Sequence, residues 1–127
     1  MKRVLFICGK ARMRSPTAAD LARDRWGIEA DFAGLSNDAD EKLSTEQVAW
    51  AEAIFVMERR QKARLSTRFG PALRGKRVAV LDVPDRFGYM EPALVALLIR
   101  RLERHLGSPG RPATGDAAWR RTASPAI

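Results

Sequence analysis

An α/β fold, with a parallel sheet covered by helices on both faces in a three-layer sandwich, is what this sequence predicts. Three observations carry the expectation. Four short apolar runs alternate with longer segments of helical period, the only cysteine stands directly behind the first run, and 127 residues at 46% hydrophobic suit one compact domain. Strands that alternate with helices need right-handed crossovers, and those crossovers place helices over both faces of a parallel sheet. Ligands of such sheets sit beyond the carboxyl ends of the strands.

The runs are residues 3 to 7 (RVLFI), 30 to 33 (ADFA), 53 to 57 (AIFVM) and 77 to 81 (RVAVL). Each is rich in β-branched or aromatic residues and bounded by charge, Gly or Pro, as buried strands are. After the first, Ser15 and Pro16 give N-cap and first-turn signals for a helix with an apolar face of Ala18, Leu21 and Ala22, ending near Gly27. Ser44 and Gln47 form a capping box for a second helix carrying Val48 and Ala51. A third, rich in Arg and Lys, runs from about Glu58 to Leu65, before the turn region FGPALRGK. The fourth starts near Glu91 and Pro92 and repeats Leu94, Leu98, Leu102 and Val95, Ile99, Leu106 on one face. Trp26 and Trp50 fall at the end or on the face of helices and read as packing residues, and His105 reads as a solvated or dipole-complementing group near a helix end.

Residues 1 to 106 therefore form the domain. From Gly107 to Ile127, Pro, Gly, Ser, Thr and Ala dominate without apolar period, the composition of a flexible basic tail in which Trp119 is a loosely held aromatic. The 23 basic against 15 acidic residues give a formal charge of +8, which attracts anions generally. A nucleic-acid partner would rest on charge alone, with no recognised motif. The apolar start is too short for a signal peptide and ALVALLI is too short to span a bilayer, so no membrane association is expected. A lone cysteine asks for no oxidising compartment, which points to the cytoplasm.

Cys8 gives the chain its chemistry. A loop that leaves a strand end and enters a helix turns backbone N–H groups inward and adds the positive end of the helix dipole, a cradle for a tetrahedral anion. Gly9, Lys10, Ala11, Arg12, Met13, Arg14 and Ser15 make up that loop. Arg14 closes it with a bidentate guanidinium, and Ser15 offers a hydroxyl to the sulfur. A cysteine beside a helix N-terminus and a cation is a better thiolate than a free one. Such a thiolate under a phosphate is placed for in-line attack, giving a cysteinyl-phosphate that water hydrolyses. The leaving group then needs an acid. Asp82 and Asp85 in VLDVPDRFGYMEP are the candidates, Asp85 being preferred because Pro84 fixes its loop and Phe87 and Tyr89 flank it as walls for an aromatic leaving group. No cluster of Cys or His offers a metal site, and the chemistry asks for no cofactor.

These residues resemble the low-molecular-weight protein tyrosine phosphatases. The resemblance lies in VLFICGKARMRSPTAADLA, AGLS, AIFVMERRQKARL and VPDRFGYMEPAL and covers roughly residues 3 to 106. It implies a flavodoxin-like four-stranded parallel sheet, with nucleophile, phosphate-binding arginine, supporting serine and general acid at Cys8, Arg14, Ser15 and Asp85. The substrate it implies is a phosphorylated protein or small aryl phosphate, with inorganic phosphate and other oxyanions as ligands. Three departures mark a divergent, short subgroup. Ala11 stands where the family usually has an asparagine that holds a strained loop, and Met13 stands where a second cysteine often traps the oxidised nucleophile. The segment after AGLS is short, and the family's Asp-Pro-Tyr-Tyr acid loop is here Asp85-Arg86-Phe87-Gly88. Two other readings fit the same loop: a glutathione-dependent arsenate reductase, since arsenate mimics phosphate, and a catalytically silent phosphate or phosphopeptide reader.

Overall fold

The structure, a computed structural model, describes residues 2–110. Four parallel strands, β1 (Arg3–Cys8), β2 (Glu29–Gly34), β3 (Ala53–Val56) and β4 (Arg77–Val80), pair in the order β2-β1-β3-β4. Four helices connect and follow them: α1 (Arg14–Leu21), α2 (Thr45–Trp50), α3 (Arg59–Phe69) and α4 (Pro92–Leu106). This is the expected α/β, flavodoxin-like sandwich. No helix among the described residues is long and apolar enough to cross a membrane.

The alternation of side chains along β1 builds the two cores. Val4, Phe6 and Cys8 face one side, where Ala18, Ala19 and Leu21 of α1 and Leu94, Leu98 and Leu102 of α4 cover them. Leu5 and Ile7 face the other, against Val48 of α2 and Leu65 of α3. Both faces of β1 are fully buried, which explains why its sequence is an unbroken apolar run rather than an alternating one. The three α4 leucines are fully buried at their four-residue spacing, each worth about 1.5 to 3 kcal/mol of burial.

Several local expectations change. Ser15 does not cap α1: the N-cap is Met13, without a side-chain bond, and the Ser15 hydroxyl turns to the cysteine sulfur. After Leu21 the chain widens into a single π turn, Ala22–Trp26, closed by Gly27 at φ 66°. The α2 capping box forms as read, Gln47 N–H donating to Ser44 Oγ at 3.1 Å. α3 runs on to Phe69, because Phe69 packs on the same core as Leu65, one turn earlier. Trp26 and Trp50 pack on opposite cores. His105, in the last turn of α4 as expected, is half-buried. Its ring lies 5.0 Å from that of Phe55 and its Nδ1 is 3.0 Å from Arg77, and burial, then the charges of Arg77 and Arg104, hold its pKa below the usual value. Residues 111–127, most of the expected tail and Trp119 with it, lie outside the described residues.

Candidate active site

Strand order reverses around β1, since β2 lies on one side and β3 on the other, and the crevice at this switch point opens at the carboxyl ends of the strands. A cleft of about 490 Å³ lies there. The stretch from the end of β1 to the start of α1 supplies Cys8, Gly9, Lys10, Arg12, Met13 and Arg14 to its lining, and Ser36, Arg60, Gln61, Arg64 and Asp85 complete it from three other segments.

Cys8 is only 3% exposed, yet its sulfur has polar partners: Ser15 Oγ at 3.0 Å and the backbone N–H of Ala11 at 3.1 Å. Ala11 points that amide at the sulfur by adopting φ 60°, a left-handed conformation uncommon for alanine. The loop is anchored from outside. Carbonyls of Cys8, Gly9 and Lys10 accept from Leu35 (3.1 Å), Ser36 (2.9 Å) and Asp40 (2.9 Å), and Met13 O accepts from both the N–H and the hydroxyl of Thr17. Gly34 permits this approach, since a Cβ there would lie 2.6 Å from Gly9 O. The charges of the loop are partly met. Lys10 pairs with Asp38 at 3.1 Å and Arg12 with Asp40 at 3.1 Å. The Ser36 hydroxyl, then Lys10, pull the Asp38 carboxyl down to about 2.

Arg14 is 4% exposed and joins distant parts of the chain. Its Nη1 donates to Glu58 Oε2 at 2.6 Å and to Val83 O at 2.8 Å, and its Nη2 lies 3.8 Å from Asp85 Oδ2. Both Nη1 hydrogens are thus spent, which leaves the Nε and Nη2 edge of the fork for the two oxygens of an anion. Burial alone would raise the Glu58 carboxyl, but the hydrogen bond and charge of Arg14, with those of Arg60, hold it below the ordinary range. Gln61 in turn fixes the start of α3, its Oε1 accepting from the N–H groups of Met57 and Glu58, both at 2.9 Å.

The structure brings Cys8, Arg14, Ser15 and Asp85 to one place and excludes others. Asp82, exposed at φ 57°, does not line the cleft. The expected aromatic walls are not there. Phe87 packs on the α1 and α4 core with Arg86 stacked 5.3 Å above it, and the Tyr89 hydroxyl donates to Asp20, which lifts its pKa to about 12. Together with Met90 N–H on Thr17 Oγ1 at 3.0 Å, these contacts turn the segment after Asp85 toward α1 and away from the sulfur. The walls are instead Arg12, Met13 and, from α3, Arg60 and Arg64. Glu58, Arg60, Gln61, Arg64 and Ser36 were missed from sequence. The available signal was position: Glu58 follows β3 at the edge where Cys8 ends β1, and Arg60 and Arg64 are one helical turn apart.

No protein-family model and no curated protein matches the chain. Solved structures do. The YwlE arginine phosphatase of Geobacillus stearothermophilus is similar at TM-score 0.63 and 24% identity, over 84% of this chain and 93% of that one. The tyrosine phosphatase Wzb of Escherichia coli K30, in complex with phosphate, gives TM-score 0.66 and 20% identity over 81% and 94%. A low molecular weight protein tyrosine phosphatase of Streptococcus pyogenes gives 0.65 and 13% over 83% and 93%. At these identities the likeness speaks for architecture, and the chain has the fold of the low-molecular-weight protein tyrosine phosphatases.

Proposed function

We propose that the chain is a cysteine-dependent phosphatase acting on phosphorylated protein side chains. The observation that carries this reading is the convergence of a sulfur bonded to Ser15 and Ala11 with a guanidinium held by Glu58 and Val83, in a cleft that Asp85 also lines. A phosphate reader needs the cradle but neither a nucleophile nor an acid. In the first step the Cys8 sulfur forms a bond to phosphorus while the bond to the leaving atom breaks, and Asp85 gives that atom its proton. In the second, water attacks phosphorus, Asp85 takes the water's proton, the S–P bond breaks and phosphate departs. The Nε and Nη2 edge of Arg14 holds two equatorial oxygens throughout. A lone thiol working this way suits a reducing cytoplasm.

Similar structures carry the names of both tyrosine and arginine phosphatases, so phosphotyrosine and phosphoarginine peptides are the substrates to compare. With Phe87 and Tyr89 away from the cleft, the aromatic-wall argument for phosphotyrosine loses its support. The deciding assay is hydrolysis of p-nitrophenyl phosphate by wild type, Cys8→Ser and Asp85→Ala. Turnover must vanish in Cys8→Ser. Asp85→Ala is expected to lose about 10² to 10⁴ in kcat on phenyl phosphate and much less on the activated nitrophenyl ester, because only the poor leaving group needs the proton. Binding of phosphate without turnover by wild type would favour the silent reader.

A further inference from the structure

We propose that Arg60, Arg64 and Arg68 form an anion track beside the reaction loop, which selects peptide substrates with acidic side chains close to the phosphorylated residue. The proposal rests on the phosphatase reading above. Arg60 and Arg64 line the cleft that holds Cys8, and Arg64 also lines a neighbouring depression of about 260 Å³ with Ala63, Thr67 and Arg68. One arginine thus belongs to both cavities. The three share a face of α3, being spaced four residues apart, and α3 contains five basic residues and no acid.

Their present partners leave capacity for a ligand. Arg60 reaches Glu58 Oε1 at 2.7 Å but is 79% exposed, and Arg68 donates through Nη1 to Leu35 O at 2.9 Å. Arg64 has no hydrogen bond or ion pair among the described residues. At a rise of about 1.5 Å per residue, the track from Arg60 to Arg68 is about 12 Å long. An extended peptide covers that distance in about three to four residues. Carboxylates within that distance of the phosphorylated residue therefore meet guanidinium forks suited to them. No aromatic ring lines either cavity, whereas single-stranded nucleic acid is held largely by base stacking. That favours a peptide.

The test compares kcat/KM for phosphotyrosine peptides carrying two aspartates three and four residues from the phosphotyrosine with alanine and lysine versions. Wild type is expected to favour the acidic over the alanine peptide by about fivefold or more at low salt. Arg64→Ser should bring that ratio toward one, and Arg64→Glu should invert it in favour of the lysine peptide, which a merely structural role would not do. Turnover of p-nitrophenyl phosphate with no preference among peptides would overturn the track and leave the phosphatase reading standing. No turnover of any phosphoester would overturn that reading instead. Peptide affinities for Cys8→Ser, measured by fluorescence polarisation, would then decide the track alone by the same ratios. A single-stranded oligonucleotide that inhibits at lower concentration than the acidic phosphopeptide would overturn the peptide assignment.

Discussion

At the scale of single residues, Ala11 and Glu58 hold the Cys8 sulfur and the Arg14 guanidinium. Ala11 sits at φ 60°, which costs an L-residue roughly 1 to 2 kcal/mol, and this cost is accepted because the resulting amide direction serves the sulfur. Glycine removes most of that strain and adds about 0.5 to 1 kcal/mol of unfolded-state entropy. Ala11→Gly is therefore expected to stabilise the protein by about 0.5 to 1 kcal/mol in urea unfolding; a loss of stability would mean the Cβ packs usefully. Glu58 makes the opposite case. Glu58→Gln weakens the hold on a buried guanidinium and should cost about 1 to 3 kcal/mol at pH 7. Because the folded carboxyl titrates below its unfolded value of about 4.3, its contribution is complete above that pH and fades as pH falls through the folded value. Thermal melts from pH 6 to pH 3 should show the two proteins converging as the solution becomes acid. A constant gap would disprove the pairing as its source.

Among the elements, the loop after β1 depends on the end of β2. A Cβ on Gly34 would meet Gly9 O and the Ala39 Cβ at 2.6 Å each, and neither is the free end of a flexible side chain. Gly34→Ala should destabilise the fold by about 1 to 3 kcal/mol and weaken phosphate binding more than Ser44→Ala, which removes only the α2 cap at a cost of about 1 kcal/mol. Equal phosphate affinity in the two variants would show that the loop does not lean on β2. What could be read in the sequence follows the same division between local and distant causes. The strands and the start of α2 announce themselves through neighbouring residues, as does the Cys8-to-Ser15 loop. The hold of Glu58 on Arg14 spans 44 residues, and no local pattern reports it. Phe87 and Tyr89 misled for a related reason: adjacency to Asp85 suggested a pocket wall, while Asp20, Thr17 and the α4 core decided where that segment lies. The end of α3 was hidden by polarity, since one half-buried Phe69 packed on the core outweighs a run of exposed residues.

For the molecule as a whole, Arg14 ties α1 to the start of α3 through Glu58, to the exit of β4 through Val83 and to the loop beyond it through Asp85. An anion that occupies its remaining edge therefore binds a surface assembled only when both cores and the sheet are in place. Anything that binds the folded form alone stabilises it, by about 2.7 kcal/mol at a hundred times the dissociation constant. Inorganic phosphate should raise Tm in a saturating manner for wild type and for Cys8→Ser, which keeps the cradle. Phosphate also strengthens burial in any protein by exclusion from its surface, an effect that grows with concentration without saturating. Arg14→Lys separates the two, since it preserves the charge but cannot offer two parallel donors to one anion. Its Tm should follow only the unsaturating slope, and a saturating rise equal to that of wild type would mean that the net charge of +8, rather than the guanidinium edge, collects the phosphate.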